Sequence, residues 1–365
     1  MVQLNSNSSN LRSRICNSRI LIISGMALIA TSISIVCVSI IFFSCLTVST
    51  ESLFLDDESG TSNNRPIIGV LTQEISYHLN NKYPGQYYSY IAASYVKFIE
   101  GAGARVVPIW IGKNESYYED IMTKINGVLW PGGSTFFNQS NGYADAGDRI
   151  FKIAEQLNDR GDYFPILGIC LGFELLTYVA ANRVEHRIDC NSSNQALPLE
   201  FMPDFQKNKM FEDAPNNIIQ ILQETNVTAN YHRYCVTKEG LAKVNLADKF
   251  HILSLNYDFN NVQFISSLEH TTYPFYGVQF HPEKNIYEWV KGKRIPHGQR
   301  ATTVAQYFAD FFVNEARKNQ HSFKSAKEEA MSLIYNYPIT YTGLKNSAFV
   351  QCYMFKEEDQ VIHGD

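Results

Sequence analysis

An alternation of apolar and amphipathic segments between residues 66 and 181 restricts the fold of this chain more than any other feature of its sequence. The apolar segments, which have the length of buried strands, are 66–73, 105–111, 127–130 and 164–169. The segments that follow them carry apolar residues at helical spacing and are 88–101, 117–125, 145–160 and 171–181. Continuous apolar strands separated by amphipathic helices predict a parallel sheet with helices on both faces.

The pattern changes after residue 250, where three apolar segments are joined by short polar links and are followed by a helix at 302–317. The three segments are 251–257, 262–268 and 275–280. Strands with short links pair antiparallel. We therefore predict one α/β domain over 65–355. It has a mostly parallel central sheet, helices on both faces and an antiparallel C-terminal extension, and 356–365 form a tail.

The first 50 residues differ from the rest in composition. A basic tail, 1–19, contains three arginines and precedes 20–50, a stretch without a charged residue. About 20 helical residues span the hydrocarbon core of a bilayer, whereas the apolar region of a cleaved signal peptide has about 7–15 residues. The stretch is therefore expected to direct the chain into the secretory pathway, either as a signal anchor or as a cleaved signal peptide. A polar linker, 51–64, follows it.

N-glycosylation sequons support the same compartment. Their asparagines all follow the apolar stretch and are Asn114, Asn138, Asn191 and Asn226. We expect a vacuolar, lysosomal or extracellular protein, since no sorting signal in the sequence separates these destinations.

Charge and cysteine spacing exclude several classes of function. The formal net charge is −5 and there is no block of basic residues, so nucleic acid is not an expected partner. No two cysteines have the C-x-x-C spacing of a zinc or redox site. If Cys170 is a free nucleophile, Cys190, Cys235 and Cys352 remain for at most one disulfide, whose pairing the sequence leaves open. No metal and no organic cofactor are expected.

Cys170 lies where a predicted strand meets a predicted helix, between Gly168 and Gly172. The G-x-C-x-G arrangement is that of a nucleophile elbow, a turn so tight that the neighbouring side chains must be small. The helix that begins at Leu171 points its N-terminus at the sulfur, which is expected to lower the thiol pKa. Buried cysteines and glycines near turns are both common, so the elbow alone leaves a nucleophile and a packing residue as alternatives.

The segment 276–283, YGVQFHPE, supplies a base and an orienting group, which a thiol nucleophile requires. Glu283 lies two residues after His281, beyond Pro282. Its carboxylate can hold one imidazole nitrogen while the other faces the sulfur. Taken alone, the same residues also fit a surface turn.

The segment 129–133, LWPGG, ends another predicted strand. The backbone N–H groups of Gly133 and Leu171 are expected to hold an oxyanion, although PGG also forms ordinary turns. The elbow, the HPE segment and this turn are independent, and each follows a strand. Ligands of open α/β sheets bind at the carboxyl ends of the strands, so the conjunction favours nucleophilic catalysis.

These segments resemble the triad-type, class I glutamine amidotransferase-like (flavodoxin-like) fold and, within it, the γ-glutamyl hydrolases, or folate polyglutamate hydrolases. The similar segments are GICLGFELL, LWPGG and FHPEKNIYEW, with RPIIGVLTQE, YIAASYVKFIEGAGARVVPI and YTGLKNSAFVQCYMF elsewhere in the domain. The resemblance implies Cys170 as the nucleophile, His281 as the general base and acid, and Glu283 as the residue that orients His281. It also implies a folate poly-γ-glutamate or other γ-glutamyl substrate, and a homodimer.

Further residues enter through the same resemblance. Glu174 stands where glutamine amidotransferases carry Gln in C-L-G-x-Q, as in the γ-glutamyl hydrolases. His232 lies in NYHRY, which resembles a segment whose histidine contacts substrate, although a structural histidine is the alternative. Gly132 and Glu174 are expected to line the substrate site. Arg233 could meet a substrate carboxylate on grounds of charge alone, and an exposed arginine explains it equally well.

Three functions follow from these residues. The leading one is a cysteine-dependent hydrolase of γ-glutamyl bonds that forms a thioester acyl-enzyme. The second is a glutaminase-type amidotransferase, which is disfavoured by Glu174 and by the expectation that the chain carries no synthase domain to receive ammonia. The third is a membrane-tethered binding protein without activity, which the complete set of Cys170, His281 and Glu283 disfavours.

Overall fold

The computed structural model describes residues 62–360. The strands are β1 (Ile67–Leu71), β2 (Gln73–Glu74), β3 (Ser89–Ala92), β4 (Arg105–Ile109), β5 (Val128–Trp130), β6 (Ile166–Ile169), β7 (Ile188–Leu197), β8 (Glu200–Phe201), β9 (Thr228–Cys235), β10 (Phe250–Tyr257), β11 (Gln263–His270), β12 (Phe275–Val278), β13 (Ile339–Thr340) and β14 (Cys352–Phe355). The helices are α1 (Tyr77–Lys82), α2 (Ala93–Glu100), α3 (Glu115–Met122), α4 (Tyr143–Asp159), α5 (Leu171–Ala180), α6 (Lys209–Glu212), α7 (Asn216–Glu224), α8 (Lys238–Lys243), α9 (Lys284–Tyr287), α10 (Gln299–Ala316) and α11 (Ala326–Ser332).

The central sheet has the strand order β4-β1-β5-β6-β12-β11-β10-β8. The first five strands are parallel to one another, and β11, β10 and β8 continue the sheet antiparallel. Strands β1, β5, β6 and β12 are buried along their whole length, as expected of strands covered on both faces. The predicted fold class is therefore confirmed, including its antiparallel C-terminal extension.

The largest difference from the sequence prediction lies at 88–101, where we expected one helix. Its first part is the buried strand β3, and only α2 is helical. Strand β3 pairs antiparallel with β2 and with β14 in a second sheet of order β13-β14-β3-β2. The partner strand β14 lies near the C-terminus, so its contribution cannot be read from the local pattern, and tertiary pairing overrides the helical spacing.

Strands β7 and β9 form a separate antiparallel pair, which the sequence analysis did not identify. A disulfide between Cys190 and Cys235 joins the two strands. Cys170 and Cys352 are the free cysteines among the described residues. The open pairing is thus settled as one bridge that leaves the elbow cysteine unpaired.

Several expectations concern residues near the ends of the chain. Most of the N-terminal predictions fall outside the described residues. They concern the basic tail 1–19, the segment 20–50 and nearly all of the linker 51–64. Within 62–360, no helix is both long and apolar enough to cross a bilayer. In the predicted tail 356–365, Gln360 is buried and donates a hydrogen bond to the Ser89 hydroxyl at 2.9 Å.

Candidate active site

Cys170 follows β6 and directly precedes α5, in a backbone conformation that L-amino acids rarely adopt. Its φ is 54° and its ψ is −108°, and its N–H donates to the carbonyl of Val278 on β12 at 2.8 Å. A non-glycine residue held at positive φ costs free energy that the surrounding structure must supply, and such residues concentrate at functional sites. The side chain is only 4% exposed.

The glycines on either side of Cys170 are required by close backbone packing. A Cβ at Gly168 would overlap the carbonyl of Gly172, and a Cβ at Gly172 would overlap the carbonyl of Trp130 at the end of β5. Helix α5 can therefore start this close to the sheet only if both positions lack a side chain. This confirms the expectation that the turn tolerates only small neighbours.

Replacing Gly172 by alanine should displace the elbow. The new Cβ meets backbone atoms that cannot rotate away, so we expect a loss of about 1–3 kcal/mol in the free energy of unfolding. A displacement of the sulfur by about 1 Å costs on the order of 10²-fold in kcat. Gly298→Ala is the matched control, since Gly298 has φ −66° and nothing within 4 Å of the added Cβ. Equal activity of the two variants would contradict the prediction.

His281 and Glu283 follow β12, the strand adjacent to β6. The Nδ1 of His281 lies 2.8 Å from Oε1 of Glu283, and the two side chains are almost completely buried. The backbone N–H of His281 donates to the carbonyl of Ala229 at 2.8 Å, which fixes the residue against β9. The carboxylate thus accepts from Nδ1–H and leaves Nε2 as the basic nitrogen.

Gly132 lies between the cysteine and the histidine. A Cβ on Gly132 would be 3.0 Å from Cβ of Cys170 and 2.8 Å from Cε1 of His281. Those two atoms are therefore separated by no more than the sum of the two distances. The structure brings the elbow, the HPE segment and the PGG turn to one edge of the central sheet, where β5, β6 and β12 end.

Tyr95 is a site residue that sequence reasoning missed. Its hydroxyl accepts the N–H of Gly132 at 2.9 Å and lies 3.2 Å from Nδ1 of His281. The side chain is fully buried. A tyrosine at helical spacing reads as a packing residue, and the hydroxyl's partner His281 is 186 positions away in the chain. In the sequence, Tyr95 belongs to the apolar face of the helix predicted over 88–101.

Tyr95→Phe tests this positioning role. Loss of the hydroxyl leaves the buried N–H of Gly132 without an acceptor, which should cost about 1–3 kcal/mol in unfolding free energy. It also removes one of two groups at Nδ1 of His281, so we expect kcat to fall by about tenfold. Tyr307→Phe is the control, because it also removes a tyrosine hydroxyl that has a backbone partner, in this case the carbonyl of Met210, to which it donates. Tyr307→Phe should lose stability without loss of kcat. A kcat loss in Tyr307→Phe similar to that in Tyr95→Phe would count against the positioning role of Tyr95.

The two expected oxyanion donors are the N–H of Leu171, next to Cys170, and the N–H of Gly133, in the PGG turn. The N–H of Leu171 lowers the pKa of the Cys170 thiol, which places it beside the sulfur. Within residues 62–360 the N–H of Gly133 donates to no protein acceptor, and Gln73 holds this turn through a 2.8 Å hydrogen bond from Nε2 to the carbonyl of Pro131. The roles of Gly133 and Leu171 toward an oxyanion remain predictions.

The pKa of the Cys170 thiol differs from the expectation stated above. Burial raises the pKa of the Cys170 thiol well above its ordinary value, and the carboxylates of Glu174 and Glu283 raise it further. Burial also lowers the pKa of His281, an effect that outweighs the opposing influence of Glu283. The net pKa shift is therefore upward and not downward as expected, because desolvation and two carboxylates outweigh the lowering influences of Lys284 and of the N–H of Leu171. The resting pair is a neutral thiol and a neutral imidazole.

Glu174 is buried one turn into α5 and is fully engaged by the protein. Arg187 Nη1 lies 2.8 Å from its Oε2, and Gln279 donates to its Oε1 at 3.2 Å. Burial raises the pKa of Glu174, while Arg187 and Gln279 oppose the rise. Its carboxylate raises the pKa of the Cys170 thiol and is already bound by Arg187 and Gln279, and its expected contact with substrate stays a prediction.

His232 is buried on β9 and both of its ring nitrogens lie near oxygen atoms of that strand. Nδ1 lies 2.9 Å from the carbonyl of Tyr234 and Nε2 lies 3.3 Å from Oδ1 of Asn230. Burial lowers its pKa to about 3, so the ring is neutral. A neutral ring has one N–H, which Nδ1 donates to the Tyr234 carbonyl, so Nε2 has no proton to donate to Oδ1 of Asn230. Contact with substrate through His232 stays a prediction. Arg233, next in the chain, is exposed.

Cys190, Cys235 and His232 are close enough together to suggest a metal centre. Their donor atoms lie within 4.8 Å of one another. The two sulfurs are joined in the disulfide, however, and metals bind the thiolate form of cysteine. In its oxidised form the group therefore fits a covalent link between β7 and β9 and not a metal site.

Comparison with known proteins identifies a family for this chain. The sequence model of peptidase C26 matches residues 66–283. Gamma-glutamyl hydrolase from Homo sapiens is 40% identical over 311 residues, covering 85% of this chain and 96% of the human protein. Gamma-glutamyl hydrolase B from Dictyostelium discoideum is 37% identical over 306 residues, covering 84% and 87%. Among solved structures, a glutamine amido transferase from Methylobacillus flagellatus covers 72% of this chain and 98% of its own, at 11% identity and a TM-score of 0.42, a similarity that carries no argument.

Proposed function

The chain belongs to the peptidase C26 family and acts as a cysteine-type γ-glutamyl hydrolase, and we propose that it cleaves folate poly-γ-glutamates through Cys170, His281 and Glu283. The observation that carries the assignment of residues is their convergence at the ends of β6 and β12. There a buried cysteine at φ 54° lies beside a histidine whose Nδ1 is bound to a carboxylate. This is the nucleophile, base and orienting group that acyl transfer requires.

The neutral resting pair sets the order of proton transfer. As the sulfur of Cys170 bonds to the γ-carbonyl carbon, its proton passes to Nε2 of His281, and Glu283 stabilises the imidazolium that forms. The carbonyl oxygen becomes an oxyanion held by the N–H groups of Gly133 and Leu171. The imidazolium then protonates the departing amine of the next glutamate, and the C–N bond breaks to leave a thioester.

Hydrolysis of the thioester repeats these steps with water. His281 takes a proton from the water as its oxygen bonds to the acyl carbon, and the same proton returns to the sulfur when the C–S bond breaks. The products are a shortened γ-glutamyl chain with a free carboxylate and the released amine component. The described residues supply every proton donor and acceptor that these reaction steps need.

Product masses after incubation with pteroyl-penta-γ-glutamate test the proposal. We expect fragments that differ by glutamyl units, and their sizes identify the bond that is cut. A parallel assay follows ammonia from free glutamine. Ammonia without polyglutamate cleavage would favour the amidotransferase alternative, and neither product would favour the non-catalytic binding protein.

We also propose that the chain enters the secretory pathway. The four sequon asparagines, Asn114, Asn138, Asn191 and Asn226, are all exposed and can receive glycans. The disulfide between Cys190 and Cys235 is typical of an oxidising compartment. Expression of the full chain in a eukaryotic cell should give a product that an N-glycosidase reduces in mass. Its N-terminal sequence and carbonate extraction then distinguish a cleaved signal peptide from a retained anchor at 20–50.

A further inference from the structure

Two lysine side chains converge on one aromatic ring beside the proposed catalytic histidine. The ammonium nitrogens of Lys284 and Lys293 lie 5.8 Å and 5.5 Å from the ring centroid of Tyr231. The same ring packs edge-on against His281, with centroids 6.2 Å apart. We refer to Lys284 and Lys293 as the lysine pair. A positively charged surface therefore lies directly next to the group that would carry protons in catalysis.

Neither ammonium group of the lysine pair forms an ion pair at contact distance among the described residues. Among residues 62–360, no ion pair or hydrogen bond involves either ammonium group. By contrast, four other lysines each pair with a carboxylate three or four residues away in the chain. Lys284 is only 5% exposed and its ammonium lies 4.5 Å from the ring of Phe349. The buried carboxylate of Glu288 attracts Lys284 electrostatically without forming a contact ion pair, and it accepts the backbone N–H of Val350 at 2.7 Å.

Hydrogen bonds fix the positions of the Tyr231 ring and of the loop that carries Lys293. The Tyr231 hydroxyl donates to Oδ1 of Asn194 at 2.9 Å, and the backbone N–H of Arg294 donates to the same oxygen at 2.6 Å. One asparagine thus fixes both the ring and the loop that carries Lys293. That loop, 290–294, contains Lys291, Lys293 and Arg294 and no acidic residue.

Two like charges held near one ring repel each other, and a buried ammonium is costly unless an anion pairs with it. An attraction to the ring face offsets only part of this cost. An anionic ligand between or beside the ammonium groups would remove the remaining penalty. The arrangement is therefore that of an anion subsite in the free enzyme.

We propose that the lysine pair binds successive α-carboxylates of the poly-γ-glutamate chain, with Lys284 at the unit nearest the scissile bond and Lys293 at a more distant unit. The inference rests on the proposed function, because such a chain carries one α-carboxylate on every glutamyl unit. Lys284 follows His281 by three residues and is held inside the site. Lys293 lies on the exposed loop and so meets the part of the chain that extends out of it.

The two lysines should therefore respond differently to substrate length. Loss of a charged contact at an exposed position costs up to about 1 kcal/mol, or roughly fivefold in kcat/KM. For Lys293→Gln we expect about a fivefold loss with pteroyl-penta-γ-glutamate and a smaller loss with pteroyl-di-γ-glutamate. A hydrogen bond to a buried charge is worth more, so Lys284→Gln should lose about tenfold or more with both substrates. Raising the salt concentration should diminish the effect of Lys293→Gln, since exposed charges are screened.

Lys291→Gln is the matched control, because it removes the same charge from the same loop, whereas the described lysines over the Tyr231 ring are Lys284 and Lys293. Circular dichroism and thermal unfolding of each variant establish that it is folded, and Lys293 is exposed, so its removal leaves the core intact. Equal losses for Lys293→Gln on both substrates, or equal effects of Lys291→Gln and Lys293→Gln, would overturn the inference alone. A wild-type enzyme that cleaves neither substrate would overturn the proposed function and the inference with it.

Discussion

Cys170→Ala should lower kcat/KM for a folate poly-γ-glutamate by at least about 10⁴-fold while leaving the protein folded. The variant removes only the sulfur, which is the atom that forms the thioester, and no other described group at the site can replace it. Losses of this order or larger accompany removal of the nucleophile from comparable triads. Initial rates with purified wild type and variant measure the loss, and thermal unfolding verifies the fold.

The chain offers a matched control in Cys352→Ala. Cys352 is also free and buried, and burial raises the pKa of its thiol to about 12. It lies on β14 in the second sheet, in an ordinary strand and not at a strand-to-helix elbow. Its removal should cost stability through lost packing and leave kcat nearly unchanged. Retained turnover by Cys170→Ala, or a comparable loss in Cys352→Ala, would sink the assigned mechanism.

Glu283→Gln should lower kcat by about 10²–10⁴-fold through its effect on His281. A carboxylate at Nδ1 holds the proton there and stabilises the imidazolium in the transition state, and a neutral amide does neither. Amide replacement of the orienting carboxylate in a related triad costs about 10⁴-fold. Steady-state kinetics measure the loss. Glu315→Gln, which alters another buried carboxylate bonded to Tyr276, is the control and should retain kcat.

The pH profile separates this mechanism from simple structural damage. His281 must be neutral to accept the thiol proton, and burial places its pKa below the ordinary 6.5. The acid limb of kcat/KM in the wild type should therefore lie below pH 6.5, so activity persists into mildly acidic solution. Glu283 raises the His281 pKa, so its loss should move the acid limb to still lower pH. A limb that stays in place or moves upward would show that Glu283 does not act on His281.

Much of the candidate site could be predicted because its parts lie at strand ends. Cys170, His281 and Gly133 each follow an apolar segment, and parallel strands bring their carboxyl ends to one edge of a sheet. Short-range spacing was also enough for the contact of Glu283 with His281, which are two residues apart. The constraint on Gly168 is also local, since its added Cβ would meet Gly172, whereas Gly172 is restricted by the carbonyl of Trp130 on a different strand.

Other features depended on partners that are distant in the chain. Strand β3 lies within a helical pattern and forms because β14 supplies hydrogen bonds from the other end of the domain. The Tyr95 hydroxyl, the disulfide between β7 and β9 and the lysine pair on Tyr231 likewise join segments that no local pattern links. The protonation state of the cysteine was mispredicted because the helix terminus is visible in the sequence and the depth of burial is not.

The sequence by itself determined the class of fold, the nucleophile elbow and the identity of the three residues proposed for catalysis. These depend on periodicity and short spacing, which a chain carries whatever its surroundings. Only the tertiary structure decided that the resting thiol and imidazole are neutral, that Glu174 is held by Arg187 and that Tyr95 connects His281 to the PGG turn. Desolvation, charge and hydrogen bonding depend on which groups are brought together and how much water is excluded, and folding alone fixes both.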